Sequence, residues 1–248
     1  MTNSRHSVSE PLRKSKNKPI STMTIALIAI IVIVVTIGLI STVLFLGGWA
    51  PLGEVVGSGN LVTEEKLFSD FTSVDAGSGF NVEISESNSY SVFVTADDNV
   101  MDNIHVSKLG DTLNVRVNWG VSLSSVTLKV RITMPELLRL ELSGGARGII
   151  EEISSADSVS FNLSGGSQLV GHGEAGNLEI DLSSGSRLDF TDFKSQNVNI
   201  ELSGGSQATI NMDGTLDADL SGGSQLYYIG DPTLGDIETS GGSSINKK

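Results

Sequence analysis

The sequence predicts an all-β solenoid of stacked rungs, roughly 19–20 residues per rung, preceded by one transmembrane α-helix. Three observations carry this. A short phrase returns six times: Leu142-Ser-Gly-Gly, Leu163-Ser-Gly-Gly-Ser-Gln, Leu182-Ser-Ser-Gly-Ser-Arg, Leu202-Ser-Gly-Gly-Ser-Gln, Leu220-Ser-Gly-Gly-Ser-Gln and Thr239-Ser-Gly-Gly-Ser-Ser. These starts are spaced too evenly for chance and too closely for a repeat of two helices. Before each phrase the chain alternates apolar and polar residues, as in Val159, Phe161, Leu163 and Val198, Ile200, Leu202, which is the period of a half-buried strand. Finally, the whole stretch from Met23 to Leu46 carries no charge.

Residues 1–22 are polar and basic, with Pro11 and Pro19 opposing helix, and read as a disordered tail. Met23–Leu46, at 1.5 Å per residue, spans about 36 Å as a helix, enough for a hydrocarbon core of roughly 30 Å with some tilt. The span is longer than a signal-peptide core and no small-x-small cleavage site precedes Trp49, so an uncleaved signal anchor is expected. Arg5, Arg13, Lys14, Lys16 and Lys18 precede the span and no Lys or Arg follows until Lys66, which places the N-terminus in the cytoplasm and the rest outside. Residues 47–66, with Gly and Pro51, read as a stalk.

From Leu67 to the C-terminus one extracytoplasmic domain is expected. Alternating stretches such as Phe80, Val82, Ile84 and Val126, Leu128, Val130, Ile132 are separated by turn-rich segments including Ala76-Gly-Ser-Gly. These strands pair less regularly than the later rungs, as early coils or as a cap. From Leu142 on, each phrase is a rung corner. The corner glycines are Gly144 and Gly145, Gly165 and Gly166, Gly185, Gly204 and Gly205, Gly222 and Gly223, and Gly241 and Gly242. They supply positive φ and let corners stack at the roughly 4.8 Å strand spacing. A second strand follows each corner, as Leu188 and Phe190 or Ala208 and Ile210 indicate.

Charge narrows function. Positions 1–20 hold five cations against Glu10, a balance of +4; with −13 for the whole chain, the remainder carries −17. Such a domain repels phosphates, and with no basic stripe expected to offset it, nucleic acid is not a partner. The absence of cysteine excludes disulfides, thiol catalysis and thiolate metal sites.

The order of features resembles the putative auto-transporter adhesin, head GIN domain family. The resemblance covers nearly all of the expected extracytoplasmic domain. It rests on the Val74-Asp-Ala-Gly-Ser-Gly-Phe-Asn-Val-Glu-Ile opening, the Leu113–Val117 strand after a Gly-Asp turn, the repeated Leu-Ser-Gly-Gly phrases and Tyr228-Ile-Gly-Asp-Pro. It implies a right-handed parallel β-helix on an exported or membrane-anchored protein.

Several motifs tempt a chemical reading. Leu163–Gln168, Leu202–Gln207 and Leu220–Gln225 read LSGGSQ, close to the signature of ABC transporter ATPases, but no phosphate-loop motif accompanies them and they follow strands. The histidines are His6, His105 and His172. His105 is expected to face solvent from a strand, and His172 to occupy a loop near a carboxylate with no second metal ligand fixed by spacing. Asp189 and Asp192 invite comparison with glycan-cleaving β-helices, yet aromatic residues make up only 5% of the chain. Asn162-Leu-Ser matches a glycosylation acceptor inside a packed rung. The outward residue before each phrase is Glu141, Asn162, Asp181, Glu201, Asp219 and Glu238, so equal phase makes an acidic ladder. Its Asp181, Glu201 and Asp219 are the one candidate for a weak cation site; otherwise no catalytic, cofactor or metal residues are expected. The functional expectation is a single-pass plasma-membrane protein displaying a structural, adhesive or sensing module without catalysis. Its partners would be the membrane and a cell-wall or surface glycan or protein. A surface glycan hydrolase or lyase, and a self-associating scaffold, are the alternatives.

Overall fold

The computed structural model describes residues 54–248, apart from the side chains of Ala156 and Asp157. The basic tail, the span at Met23–Leu46 and the start of the stalk lie outside the described residues. Among the described residues no helix is long and apolar enough to cross a membrane.

The described chain is all β, as its alternation predicts. Val55–Val56 (β1) and Leu61–Glu65 (β2) lead to Ser73–Ala76 (β3), Asn81–Glu86 (β4) and Ser91–Asp97 (β5). A 3-10 turn at Met101–Asn103 precedes Ile104–Leu109 (β6), Thr112–Val117 (β7), Leu123–Ser124 (β8) and Leu128–Met134 (β9). The regular part follows: Arg139–Leu142 (β10), Arg147–Leu163 (β11), Gln168–Leu182 (β12), Arg187–Leu202 (β13), Gln207–Met212 (β14), Thr215–Leu220 (β15), Gln225–Ile229 (β16), Thr233–Thr239 (β17) and Ser244–Lys247 (β18).

Each rung presents one side before its Gly-rich corner and another after it. On the first side β7, β3, β10, the end halves of β11, β12 and β13, then β15 and β17 stack in parallel. On the second side β9, β4, the starting halves of β11, β12 and β13, then β14, β16 and β18 do the same. The long strands also bend through a short third side, Ile153–Ser155 over Gly173–Ala175 over Phe193–Ser195, set off by register shifts. Sequence alternation did not show this side, because a bulge breaks the period of two where the strand turns.

The corner follows from its four residues. Ser167, Ser186, Ser206 and Ser224 point inward, fully buried, and each donates its hydroxyl to the carbonyl of the serine three residues earlier, at 2.7–2.8 Å. A buried hydroxyl without a partner would cost about 1–3 kcal/mol, so the motif supplies the acceptor for its own donor. Successive corners are tied by backbone bonds such as Ser183 N–H to the Leu163 carbonyl (2.9 Å) and Ser203 N–H to the Leu182 carbonyl (2.9 Å). The paired glycines serve different needs. Gly205 (φ 77°) has open space where a Cβ would go, so only its left-handed backbone demands glycine. A Cβ on Gly204 would lie 3.1 Å from the Ser184 nitrogen of the corner beneath, so stacking crowds it as well. Ser78 (φ 58°) and Gly79 (φ 75°) form the same corner in the first rung, an unrecognised earlier copy of the phrase.

The core is one continuous apolar column. Ile180 and Ile200 are Cα partners in successive rungs, both buried, as their equal phase predicts. Phe161, Phe190 and Phe193 meet at centroid distances of 4.9 Å (161–190) and 4.6 Å (190–193). A Cβ on Gly171 would lie 2.5 Å from the Phe190 ring, so that glycine makes room for the aromatic cluster.

The N-terminal end departs from the repeat. β7 and β9 form a rung outside β3 and β4, whereas β10 packs on the other side of β3, so chain order and spatial order differ there. β6 then runs antiparallel on β7, β5 antiparallel on β9, and β2 antiparallel on β5. The early strands are therefore both rungs of the same stack and its cap. The stalk expectation over residues 47–66 fails from Val55 onward: β1 pairs with β8 and β2 closes the sheet edge. Asp97, buried in the cap, explains why so polar a segment is ordered. Its carboxylate accepts the backbone N–H of Thr127 (2.8 Å) and of Gly59 (2.7 Å), and those bonds hold its pKa below the usual carboxylate range.

Candidate functional site

Because rungs repeat in register, every outward position becomes a column along the solenoid. On the first side Glu141, Asn162, Asp181, Glu201, Asp219 and Glu238 are successive Cα partners, the acidic ladder expected from the sequence. Beside it run Arg139, Ser160, Glu179, Asn199 and Asp217. Asp236 leaves that column at a bulge, and its N–H donates to Asp217 Oδ1 at 2.8 Å. Asp181, Glu201 and Asp219 thus share one face. Among the described residues, however, no group of three or more His, Asp or Glu side chains converges as a metal site.

The second side has a different chemistry that the sequence reading missed. One column runs Lys129, Asn81, Arg147, Gln168, Arg187, Gln207, Gln225, Ser244. Its neighbour runs Arg131, Glu83, Ile149, Val170, Asp189, Thr209, Tyr227, Asn246. The expectation that no basic stripe offsets the acidic charge is corrected here: Lys129, Arg147 and Arg187 lie at alternate rungs of one column. They escaped notice because they stand far apart in the chain. The signal was nonetheless present, since Gln168, Arg187, Gln207 and Gln225, which end four of the six phrases, are in equal phase and must also stack. Arg187 donates to Gln207 Oε1, Gln207 Nε2 to Gln225 Oε1 (3.2 Å), and the Tyr227 hydroxyl to the same oxygen (3.3 Å). Lys248 Nζ reaches Thr209 Oγ1 (3.1 Å) and lies 5.2 Å from the Tyr227 ring centroid. Asp189 is held below the usual carboxylate range first by the Thr191 hydroxyl (2.7 Å), with Lys248 and Arg187 adding to it. Glu83 is lowered likewise, chiefly by Lys129 (2.6 Å) and also by Arg131 (3.2 Å).

The third side bears an open depression of about 740 Å³ lined by Glu86, Glu152, His172, Glu174 and Asp192. His172 lies within β12 rather than in a loop, because the following rung pairs with it at Asp192 across the bend. Its Nε2 is 4.0 Å from Asp192 Oδ2 and its Nδ1 3.4 Å from the Ile150 carbonyl. Glu174 accepts the Ser154 hydroxyl (3.2 Å) and Glu86 the Ser154 N–H (2.8 Å), so these carboxylates bind their own neighbours. Asp189 belongs to the second side and Asp192 to this depression, and they do not form one groove. His105 is exposed on β6 as expected. Asn162 is half-buried within β11. In the LSGGSQ phrases the second serine is buried and bonded inward, and each phrase is a corner between two strands rather than the start of a helix.

A family model described as "Putative auto-transporter adhesin, head GIN domain" matches residues 70–232. Solved structures share the fold. A "putative adhesin" from Bacteroides fragilis is 18% identical, with a TM-score of 0.66, over 78% of this chain and 100% of that one. A "putative lipid binding protein" from Parabacteroides distasonis is 19% identical, with a TM-score of 0.53, over 79% and 100%. A "putative adhesin" from Parabacteroides merdae is 16% identical, with a TM-score of 0.51, over 79% and 99%. No curated protein matches the chain.

Proposed function

The chain belongs to the putative auto-transporter adhesin, head GIN domain family, and from that premise we propose that it is a single-pass plasma-membrane protein whose β-solenoid is an adhesive module outside the cell. In this reading residues 1–22 are cytoplasmic, Met23–Leu46 is the anchor, and the solenoid is a right-handed parallel β-helix. The observation that carries it is the pair of long, solvent-facing sides of unlike charge. A rigid stack that displays repeated polar side chains over many rungs suits attachment to an extended surface partner, a glycan or a protein. We assign it no catalytic step: in the third-side depression Glu86 and Glu174 are engaged by Ser154, and among the described residues no three carboxylate or histidine side chains converge on a common point. Lipid binding, which the Parabacteroides distasonis relative suggests, finds little support in an interior filled by Phe161, Phe190 and Phe193.

Topology tests the proposal. Protease added to intact cells should remove the solenoid and leave a tag on the N-terminal tail protected; protection of both ends would refute it.

A further inference from the structure

The second side is where an otherwise acidic domain changes sign. On the first side, from β12 onward, Glu179, Asp181, Glu201, Asp217 and Asp219 face outward with no Lys or Arg among the paired positions. On the second side the column offers Arg147 in β11 and, from β12 onward, Gln168, Arg187, Gln207 and Gln225, with the carboxylates Glu83 and Asp189 in the column beside them. Arg147 and Arg187 are two rungs apart, about 10 Å at the usual strand spacing. Among the described residues Arg147 makes no ion pair, so its guanidinium is available. Beside it, Ile149 and Val170 are adjacent and 42% exposed each, with Tyr227 further along their column.

We propose that this side is the binding face for a linear carboxylate-bearing polysaccharide, lying along the solenoid axis across the rungs. The inference rests on the adhesive reading above and names its ligand. Guanidinium groups take carboxylates with two parallel hydrogen bonds, which fits Arg147 and Arg187 at a regular interval. The Gln amides and Thr209 hydroxyl supply both donors and acceptors to sugar hydroxyls. The Ile149–Val170 strip receives the apolar C–H face of the sugar rings. The chemistry argues for a sugar polymer over a protein: the strip is narrow and lacks the buried aromatic or aliphatic anchor that protein interfaces concentrate. A nucleic acid, denser in charge, would meet the acidic first and third sides flanking a single cationic column.

The test uses the full chain in detergent, with sodium polygalacturonate as probe, its methyl ester as the uncharged form of the same polymer, and dextran sulfate as an unrelated polyanion. Binding to polygalacturonate should weaken with salt, be lost on the methyl ester, and fall about tenfold or more in Arg147→Gln with Arg187→Gln. Asp181→Asn with Glu201→Gln on the opposite side should bind at least as well as the parent. Unchanged melting curves of both variants confirm that the fold is intact. Equal binding to the ester, equal binding of the Arg147/Arg187 variant, or no binding to polygalacturonate would overturn the proposal. Dextran sulfate held as tightly as polygalacturonate would reduce it to general counterion attraction and overturn it too. If light scattering shows an oligomer that the Arg147/Arg187 variant disperses, the face belongs to a second copy of the chain and the glycan proposal falls. Because polymer binding does not read topology, failure of this test leaves the anchoring of the domain to be judged by protease protection alone.

Discussion

The two ends of the solenoid are built by different rules. From Arg139 onward each rung packs on its sequence neighbour, every pairing is parallel, and the chain repeats its corner with little change. Before Met134 the rung of β7 and β9 lies outside that of β3 and β4, and antiparallel β2, β5 and β6 cover the edge. A solenoid needs both kinds of structure. Rungs propagate by repeating one solution, but a terminal rung leaves unpaired backbone groups that would template association, so a cap must break the repeat. At the other end, among the described residues, β17 and β18 pair along only one side, and their edge is guarded by Asp236, Glu238 and Lys247 rather than by covering strands.

Substitutions sharpen that contrast. The largest effect is expected in the regular stack, where Ile200→Asp would bury an unpaired charge in a column shared with Ile180. The loss should be several kcal/mol, against a typical total stability of about 5–15 kcal/mol. The exposed neighbour Asn199→Asp should scarcely move the melting temperature, and equal effects at both positions would invalidate the strand phase. Asp97→Asn should come next and act on the cap, because it weakens bonds to two backbone N–H groups at once. The sign of its pH dependence is fixed by its lowered pKa. The stabilisation is fully present above the unfolded carboxylate value of about 4 and is lost as pH falls through the lower folded value. Melting curves of wild type and Asp97→Asn should therefore converge in acid, and a constant gap down to the lowest pH would contradict the assignment.

A corner substitution should be smaller. Gly205→Ala asks an L-residue to hold φ near 77° and should cost about 1–2 kcal/mol in chemical denaturation, whereas Ser184→Gly should be neutral or stabilising. The smallest effect is expected at the ladder. Asp181, Glu201 and Asp219 share a column but project into solvent, so millimolar Ca²⁺ should raise the melting temperature no more than matched Mg²⁺ does. A calcium-specific rise that disappears in Asp181→Asn with Glu201→Gln would reveal a cation site instead.

Legibility in the sequence follows the same division. The phase of Val159, Phe161 and Leu163 against Leu178, Ile180 and Leu182 could be read directly, because a strand with one wet face writes its orientation as alternation. The acidic ladder could be read for the same reason. The third side could not, since Glu151–Glu152 and Thr191–Asp192 shift the register at bends. Nor could the order of the first rungs, because nothing local in Thr112–Val117 specifies β3 as its partner. The Arg and Gln column was written at the end of four of the six phrases, yet those residues look like parts of a turn until rungs are stacked. Polar segment 55–65 was invisible as structure because its order comes from Asp97, distant in the chain, and not from its own pattern.

Hydrogen exchange of backbone amides, resolved along the chain, tests the stacked and one-end-capped architecture most directly. Amides of β3, β10 and the central halves of β11–β13 should be the slowest, those of β7 and β9 nearly as slow beneath the cap, and those of β17 and β18 the fastest among the paired strands. Uniform protection from β3 to β18, or β7 and β9 exchanging as fast as β17, would contradict it.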